Sequence, residues 1–171
     1  MGIDFTELNV ASAILAKAGI ADCGTTDTAE NAGAASSKAL TAPLSLSPLT
    51  LAYIGDCVYE LVVRTIVVGT AERTVNTMHK HTCRYVNAEA QRAILELISD
   101  RLTEQERSVV RRGRNAKSHS VAKHASVSDY RHATGFEALC GYWYLSGQND
   151  RMLSLVTEGI RELDKAEQKE S

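Results

Sequence analysis

The sequence predicts an all-helical domain, and three observations support that prediction. Two long and mostly apolar stretches, 47–68 and 130–145, are each expected to form one helix. Residues that favour helix starts precede the amphipathic segments in the rest of the chain. No run alternates apolar and polar residues over a useful length, so strands are not expected.

Length and composition indicate one domain with an extension. The chain has 171 residues, 44% of them hydrophobic, which is enough for one core. Residues 1–42 are predicted to be an N-terminal extension: a short helix over about 4–17, then a flexible linker of small and polar residues. Residues 43–171 are expected to form the functional domain. No membrane span is expected, and four cysteines without a CxxC pair indicate a reducing, cytoplasmic setting.

The first long helix carries an isolated acid. Ser47 is a natural N-cap, and Pro48 follows at the first helical position, where its missing N–H costs nothing. The body is apolar almost all the way round, except for Asp56, next to Gly55. A carboxylate in apolar surroundings is unfavourable unless it is paired, hydrogen-bonded or bound to a cation.

The second long helix presents the same problem. Glu137 lies after its first turn, between Phe136 and Ala138. Two apolar helices with one acid each suggest that the acids meet, and adjacent carboxylates repel each other unless a cation such as Mg²⁺ joins them. Alternatively, each acid is structural and is paired with an arginine such as Arg64 or Arg131.

The remaining elements follow from end signals along the chain. Gly69 ends the first long helix, and a second helix is predicted over 74–85. Asn87 is predicted to cap a third helix, and a capping box of Thr103 and Glu106 starts a fourth, which ends at Gly113. The second long helix is expected to begin at Asp129 and to end at Gly147. Asn149 is the predicted cap of the last helix. The charges from Glu162 onward are expected to form a solvated, fraying end.

Three motifs in order identify a resemblance. They are LAYIGDCVYE at 51–60, RRGRNAK at 111–117 and YRHATGFEALCGYWYL at 130–145. Together they resemble the ribonuclease III family, most closely its short Mini-ribonuclease III form, which lacks a double-stranded-RNA-binding domain. The resemblance implies a helical endonuclease domain that forms a homodimer and cleaves double-stranded RNA, leaving a 5′-phosphate. By analogy the substrate is the precursor of large-subunit (23S) ribosomal RNA.

The resemblance also implies roles for particular residues. Asp56 and Glu137 match the catalytic, metal-binding acids, with Mg²⁺ as the cofactor and Mn²⁺ able to replace it. Two further acids of full-length family members are replaced here by Ala52 and Thr134, which is also the Mini-III pattern. Most metal ligands would then be water and RNA phosphate. Glu60, one turn after Asp56, either supports the metal ligands or forms a structural ion pair.

A basic segment is the expected RNA contact. No acid occurs between Glu106 and Asp129, while six arginines and lysines do. A basic cluster of this kind is typical of a nucleic-acid interface. The residues predicted to bind RNA are Arg112, Arg114, Asn115 and Lys117, with Arg131 from the second long helix.

Two further expectations concern assembly and class. The small residues Ala52, Gly55, Gly135 and Gly141 would let the acid-bearing helices approach closely. The candidates for the homodimer interface are Tyr53, Val58, Tyr59 and Val62, although a core role fits them as well. A non-catalytic RNA-binding or ribosome-associated protein on the same fold is the alternative function.

Overall fold

The computed structural model describes residues 43–70, 74–116 and 126–170, which form six α-helices and no strand. The helices are α1 (Pro48–Val68), α2 (Val75–Val86), α3 (Ala88–Ile98), α4 (Glu104–Arg114), α5 (Val127–Leu145) and α6 (Asn149–Glu170), with 3-10 turns at Pro43–Ser45 and Ser99–Arg101. The predicted all-helical class is therefore confirmed. None of the described helices has the length and apolarity needed to cross a bilayer. The predicted extension, 1–42, lies outside the described residues.

Helix starts follow the local capping signals. The side chains of Ser47 and Asn87 each accept a hydrogen bond from the backbone N–H three residues further on, at 3.0 and 2.9 Å. At Thr103 the capping box is complete, because its hydroxyl accepts from Glu106 N and the Glu106 carboxylate accepts from Thr103 N. These bonds satisfy N–H groups that the first helical turn leaves unpaired.

Three predicted boundaries are wrong. Asn149 is the first residue of α6 rather than its N-cap, and its Oδ1 atom is buried without a hydrogen-bond partner among the described residues. Ser126, not Asp129, is the N-cap of α5, and the Asp129 carboxylate accepts the Ser126 hydroxyl at 2.6 Å from inside the first turn. Asp129 also pairs with Arg92 of α3 at 2.8 Å. Helix α4 continues through Gly113, where a Cβ atom would lie 2.7 Å from the Cα of Gly135. Gly113 therefore serves the packing of α4 on α5 rather than a helix end.

The final helix also differs from expectation. Its last turns are not merely solvated, because Asp164 and Glu167 both accept hydrogen bonds from Arg84 of α2. The Tyr85 hydroxyl also donates to Asp164, at 2.9 Å. These bonds tie the end of α6 to α2, and the helix continues to Glu170.

Helix α5 is the centre of the domain. Phe136, Leu139 and Trp143 on this helix have no exposed surface. Phe136 meets Tyr59 of α1 edge to face, with ring centroids 4.9 Å apart. The Tyr59 hydroxyl donates to the carbonyl of Tyr85, so its polar atom is satisfied within the core.

A buried ionic cluster joins three helices around Glu106. The carboxylate of Glu106, which is 2% exposed, accepts Trp143 Nε1 and Arg151 Nη2, each at 2.7 Å. Burial by itself raises the pKa of Glu106, but the bonds from Arg151, Trp143 and Thr103 outweigh it and lower the pKa to about 2. Glu106 is thus charged at neutral pH and connects α4 to α5 and α6.

Candidate active site at the crossing of α1 and α5

Two glycines bring α1 and α5 into backbone contact. A Cβ atom on Gly55 of α1 would lie 1.8 Å from the carbonyl oxygen of Glu137. A Cβ atom on Gly141 of α5 would lie 2.0 Å from the carbonyl oxygen of Leu51. The expectation that small residues permit close approach is confirmed at these two positions, while Gly135 instead faces α4. Because Asp56 follows Gly55, this contact brings the two acids to one place.

The two carboxyl groups disfavour each other's charge. Burial and, after it, the negative charge of Asp56 raise the pKa of Glu137 to about 7. Burial also raises the pKa of the more exposed Asp56, and the charge of Glu60 adds to that rise. The amide of Gln91 partly opposes this rise in the pKa of Glu137. The pair is therefore a site that an added positive charge would stabilise.

The suggested arginine partners do not neutralise this pair. Arg64 binds Glu60 instead, at 2.7 Å along α1, so the structural ion pair considered for Glu60 is present. Among the ion pairs between described residues, neither Asp56 nor Glu137 contacts a lysine or arginine. The alternative that each acid is structural and paired with an arginine is therefore wrong for Arg64, which pairs with Glu60 instead.

The donor set suits a hard divalent cation with few protein ligands. In the described residues no group of three or more histidine, cysteine, aspartate or glutamate side chains could enclose a metal. The positions of the two missing family acids are buried: Ala52 is 6% exposed, and the hydroxyl of Thr134 donates to the carbonyl of Tyr130. Two carboxylates that repel each other fit Mg²⁺ if water and substrate oxygens complete its shell.

Sequence reasoning missed Gln91 of α3. This residue is 2% exposed, and its Oε1 atom is buried without a hydrogen-bond partner among the described residues. Its amide lowers the pKa of the Glu137 carboxyl, which places Gln91 beside the acid pair. The signal was present, because Gln91 occupies a position on the apolar face formed by Ile94, Leu95 and Ile98.

The basic residues have different environments. Arg112 donates to the carbonyls of Leu44 and Leu46, at 2.9 and 2.8 Å, and so fastens the Pro43–Ser45 turn. Arg114 is exposed, and a Cβ atom on Gly135, two residues before Glu137, would lie 2.9 Å from its Cγ. The remaining predicted residues Asn115 and Arg131 are also exposed, and Lys117 lies outside the described residues.

A surface cavity of about 510 Å³ lies where α4 ends beside the start of α1. Arg111, Arg112 and Asn115 line it on one side, and Ser47 and Pro48 on the other. Two arginines therefore line one side of an open hollow at the described end of the basic segment.

One face of α1 is apolar and exposed. Tyr53, Leu61 and Val68 are 80%, 65% and 69% exposed and share a helical stripe with the exposed Cys57. Leu61 also lines an apolar groove of about 420 Å³ between α1 and α6. Of the interface candidates, Val58 and Tyr59 are 8% and 1% exposed and belong to the core.

Comparison with known proteins establishes the class. The model of the Ribonuclease III domain matches residues 49–148, a span that contains both acids and Gln91. A crystal structure of a Fusobacterium nucleatum protein is similar, with a TM-score of 0.63 and 27% identity over 69% of this chain and 94% of that one. A helical domain with an acid pair at its central crossing thus corresponds to the ribonuclease III class of domains.

Two similar proteins identify which group of this class the chain belongs to. Proteins named Mini-ribonuclease 3 from Symbiobacterium thermophilum and Thermoanaerobacter sp. are 53% and 47% identical, over 67% and 71% of this chain. The aligned regions cover 88% and 85% of those relatives. The chain therefore belongs to the ribonuclease III family of endoribonucleases, in its Mini-ribonuclease 3 group.

Proposed function

We propose that this protein is a Mg²⁺-dependent endoribonuclease that uses Asp56 and Glu137 to cleave double-stranded RNA. The observation that carries the proposal is the backbone contact at Gly55, which brings together two carboxylates with raised pKa values. Cleavage would leave a 5′-phosphate and a 3′-hydroxyl, and the substrate would be the precursor of 23S ribosomal RNA in the cytoplasm. The described cysteines are free thiols, which suits a reducing compartment.

The chain's own residues have defined tasks in this reaction. Asp56 and Glu137 would hold the cation from two helices, and the glycine contact fixes the separation of the two backbones. When bound, the cation supplies an acidified water and stabilises the leaving oxygen. Mn²⁺ accepts similar oxygen ligands and would replace Mg²⁺. Gly55 thus contributes to catalysis by positioning, although it has no reactive group.

The direct test is cleavage of a defined duplex. A stem that joins the two ends of a 23S precursor should be cut in Mg²⁺ and remain intact in EDTA. The same strands should resist cleavage when they are single. RNA that is bound but never cut at any cation concentration would instead favour a non-catalytic RNA-binding or ribosome-associated protein. An unrelated duplex that is cut equally fast would exclude a preference for the ribosomal precursor.

Exposed positive charge at the end of α4 supports RNA contact there. A-form RNA is bound mainly through phosphates and 2′-hydroxyls, and arginine matches the geometry of phosphate. We assign Arg114, Asn115, Lys117 and Arg131 to this interface. Arg112 would act indirectly, because its guanidinium is engaged by the carbonyls of Leu44 and Leu46.

The double variant Arg111→Ala and Arg114→Ala should bind duplex RNA more weakly and with less dependence on salt. If both arginines touch phosphate, the slope of log affinity against log salt should fall by about two units. Fluorescence anisotropy in EDTA would measure this slope without cleavage. Arg107→Ala with Arg161→Ala is the matched control, because both arginines are exposed and the loss of charge is equal. Equal slopes in the two double variants would place the RNA on another face.

We also propose that two copies pair through the apolar stripe of α1. Exposed large side chains at Tyr53, Leu61 and Val68 and the adjoining groove support a self-complementary contact. Leu61→Glu should therefore convert a dimer to a monomer in sedimentation experiments. Leu97→Glu is the matched control, since Leu97 is an exposed leucine of α3. A wild-type protein that sediments as a monomer at micromolar concentration would exclude this assembly.

A further inference from the structure

Gln91 is a buried polar side chain at the edge of the acid pair. It is 2% exposed and lies on the face of α3 that otherwise carries Ile94, Leu95 and Ile98. A carboxamide in such surroundings is unfavourable unless its donors and its acceptor are satisfied. A core position filled by glutamine rather than leucine therefore calls for polar partners.

The partners of Gln91 account for its donors but not for its acceptor. Its Nε2 atom donates to the carbonyl of Val86 at 3.4 Å, a long bond, and the same amide lies close enough to Glu137 to lower the pKa of that carboxyl. A carbonyl and a carboxylate both accept, so the NH₂ group faces them and the orientation of the amide is determined. The Oε1 atom is buried without a partner among the described residues. Because Oε1 and Nε2 belong to the same carboxamide, Oε1 lies close to the nitrogen that faces Glu137.

The proposed cation site would supply the hydrogen-bond donor that Oε1 of Gln91 lacks. Two carboxylates fill few of the positions around Mg²⁺, and water takes many of the others. Waters in such a shell are strong donors, and side chains around a metal commonly orient its ligands by hydrogen bonds. The unpaired acceptor of Gln91 beside Glu137 matches that need, whereas in a purely structural core it would only be destabilising.

We infer that Gln91 is a positioning residue of the cation site. Its NH₂ group holds the carboxylate of Glu137, and its Oε1 atom accepts a hydrogen bond from a water of the cation's shell. The inference rests on the proposed function, because it requires that Asp56 and Glu137 bind a divalent cation. It adds α3 to the helices that serve cation binding, beside α1 and α5.

The variant Gln91→Met tests this role. Methionine fills core space with a flexible chain but has no amide donor or acceptor. Binding of Mn²⁺ to the full chain without RNA, measured by electron paramagnetic resonance, should weaken by about 10- to 100-fold. Cleavage should shift to higher cation concentration and approach the wild-type rate at saturation. Gln148→Met is the matched control, because Gln148 lies eleven residues beyond Glu137 and its amide donates to the Tyr142 hydroxyl.

The outcomes separate this inference from the proposed function. Wild-type Mn²⁺ affinity in folded Gln91→Met would overturn the role of Gln91 and leave the acids untouched. A wild-type chain that binds no Mn²⁺, or a Glu137→Gln variant that binds it as tightly as wild type, would overturn the proposed function itself. Weaker binding in Gln148→Met, equal to that in Gln91→Met, would also count against a specific role.

A measurement on the wild-type chain covers the case in which Gln91→Met does not fold. The side-chain amide resonances of Gln91, assigned by nuclear magnetic resonance, should move as Mg²⁺ is added. They should stay in place in Glu137→Gln, which lacks the charged ligand. Resonances that do not move in the wild-type chain over a saturating titration would overturn the inference.

Discussion

Glu137→Gln should lower the rate of duplex RNA cleavage by about a thousandfold, and Asp56→Asn should do the same. Each substitution keeps the shape of the side chain and removes the negative charge that would hold the cation. Single-turnover cleavage at saturating RNA and Mg²⁺ measures the effect on the chemical step. RNA affinity in EDTA should stay within a few-fold of wild type, because the arginines at the end of α4 remain.

Thermal unfolding provides an internal check on these two variants. The raised pKa of Glu137 means that its charged form is disfavoured in the folded protein, so it destabilises the fold above its unfolded pKa. In EDTA at pH 8, Glu137→Gln should therefore melt at or above the wild-type temperature, and at pH 4 the difference should shrink. A large fall in melting temperature would mean that lost cleavage reflects lost structure.

Glu60→Gln is the matched control for charge. It is the same kind of substitution one turn further along α1, but Glu60 binds Arg64 at 2.7 Å. Exposed ion pairs of this kind contribute little to stability, so folding should be unaffected. We expect cleavage to fall by less than about tenfold. A loss as large as that of Asp56→Asn would show that Glu60 supports the cation directly.

Gly55→Ala should destabilise the fold by about 3 kcal/mol and also abolish most cleavage. The added Cβ would lie 1.8 Å from the carbonyl oxygen of Glu137, so α1 and α5 must move apart. That movement would open the buried crossing and displace Glu137 from Asp56. Urea denaturation and cleavage assays would measure the two effects on the same preparation.

Gly69→Ala separates this steric effect from the general cost of replacing a glycine. Gly69 ends the same helix with φ of −71°, and a Cβ there would meet its nearest atom at 3.3 Å. Alanine therefore fits that site with little adjustment, and stability should change by less than about 1 kcal/mol. If Gly55→Ala were as mild as Gly69→Ala, the crossing could not be as close as the structure has it.

The sequence predicted the helices well wherever their ends depend on neighbouring residues. Ser47, Asn87 and the Thr103–Glu106 box act within one turn, so their effect can be deduced without the fold. The start of α5 was misplaced because Ser126 and Asp129 are both good caps. The pair works together, with Ser126 as the cap and Asp129 accepting its hydroxyl.

The site could be predicted only in part, for a physical reason. An isolated acid in an apolar helix is visible in the sequence, so Asp56 and Glu137 could be singled out. Partners from other helices cannot be deduced from local patterns, and Gln91 and Arg112 were therefore not assigned their contacts. The same holds for Glu106, whose bonds to Trp143 and Arg151 depend on the packing of three helices.

The glycine contact between α1 and α5 has a consequence for protein engineering. Since main-chain atoms touch there, the distance between the helices is insensitive to the choice of apolar residues deeper in the domain. Residues such as Leu155 and Val156, which are fully buried in the interior, can be varied for heat tolerance while the geometry of the acids is preserved. An RNA-cutting reagent for use at high temperature could thus be developed from this chain by redesigning its interior and retaining both glycines.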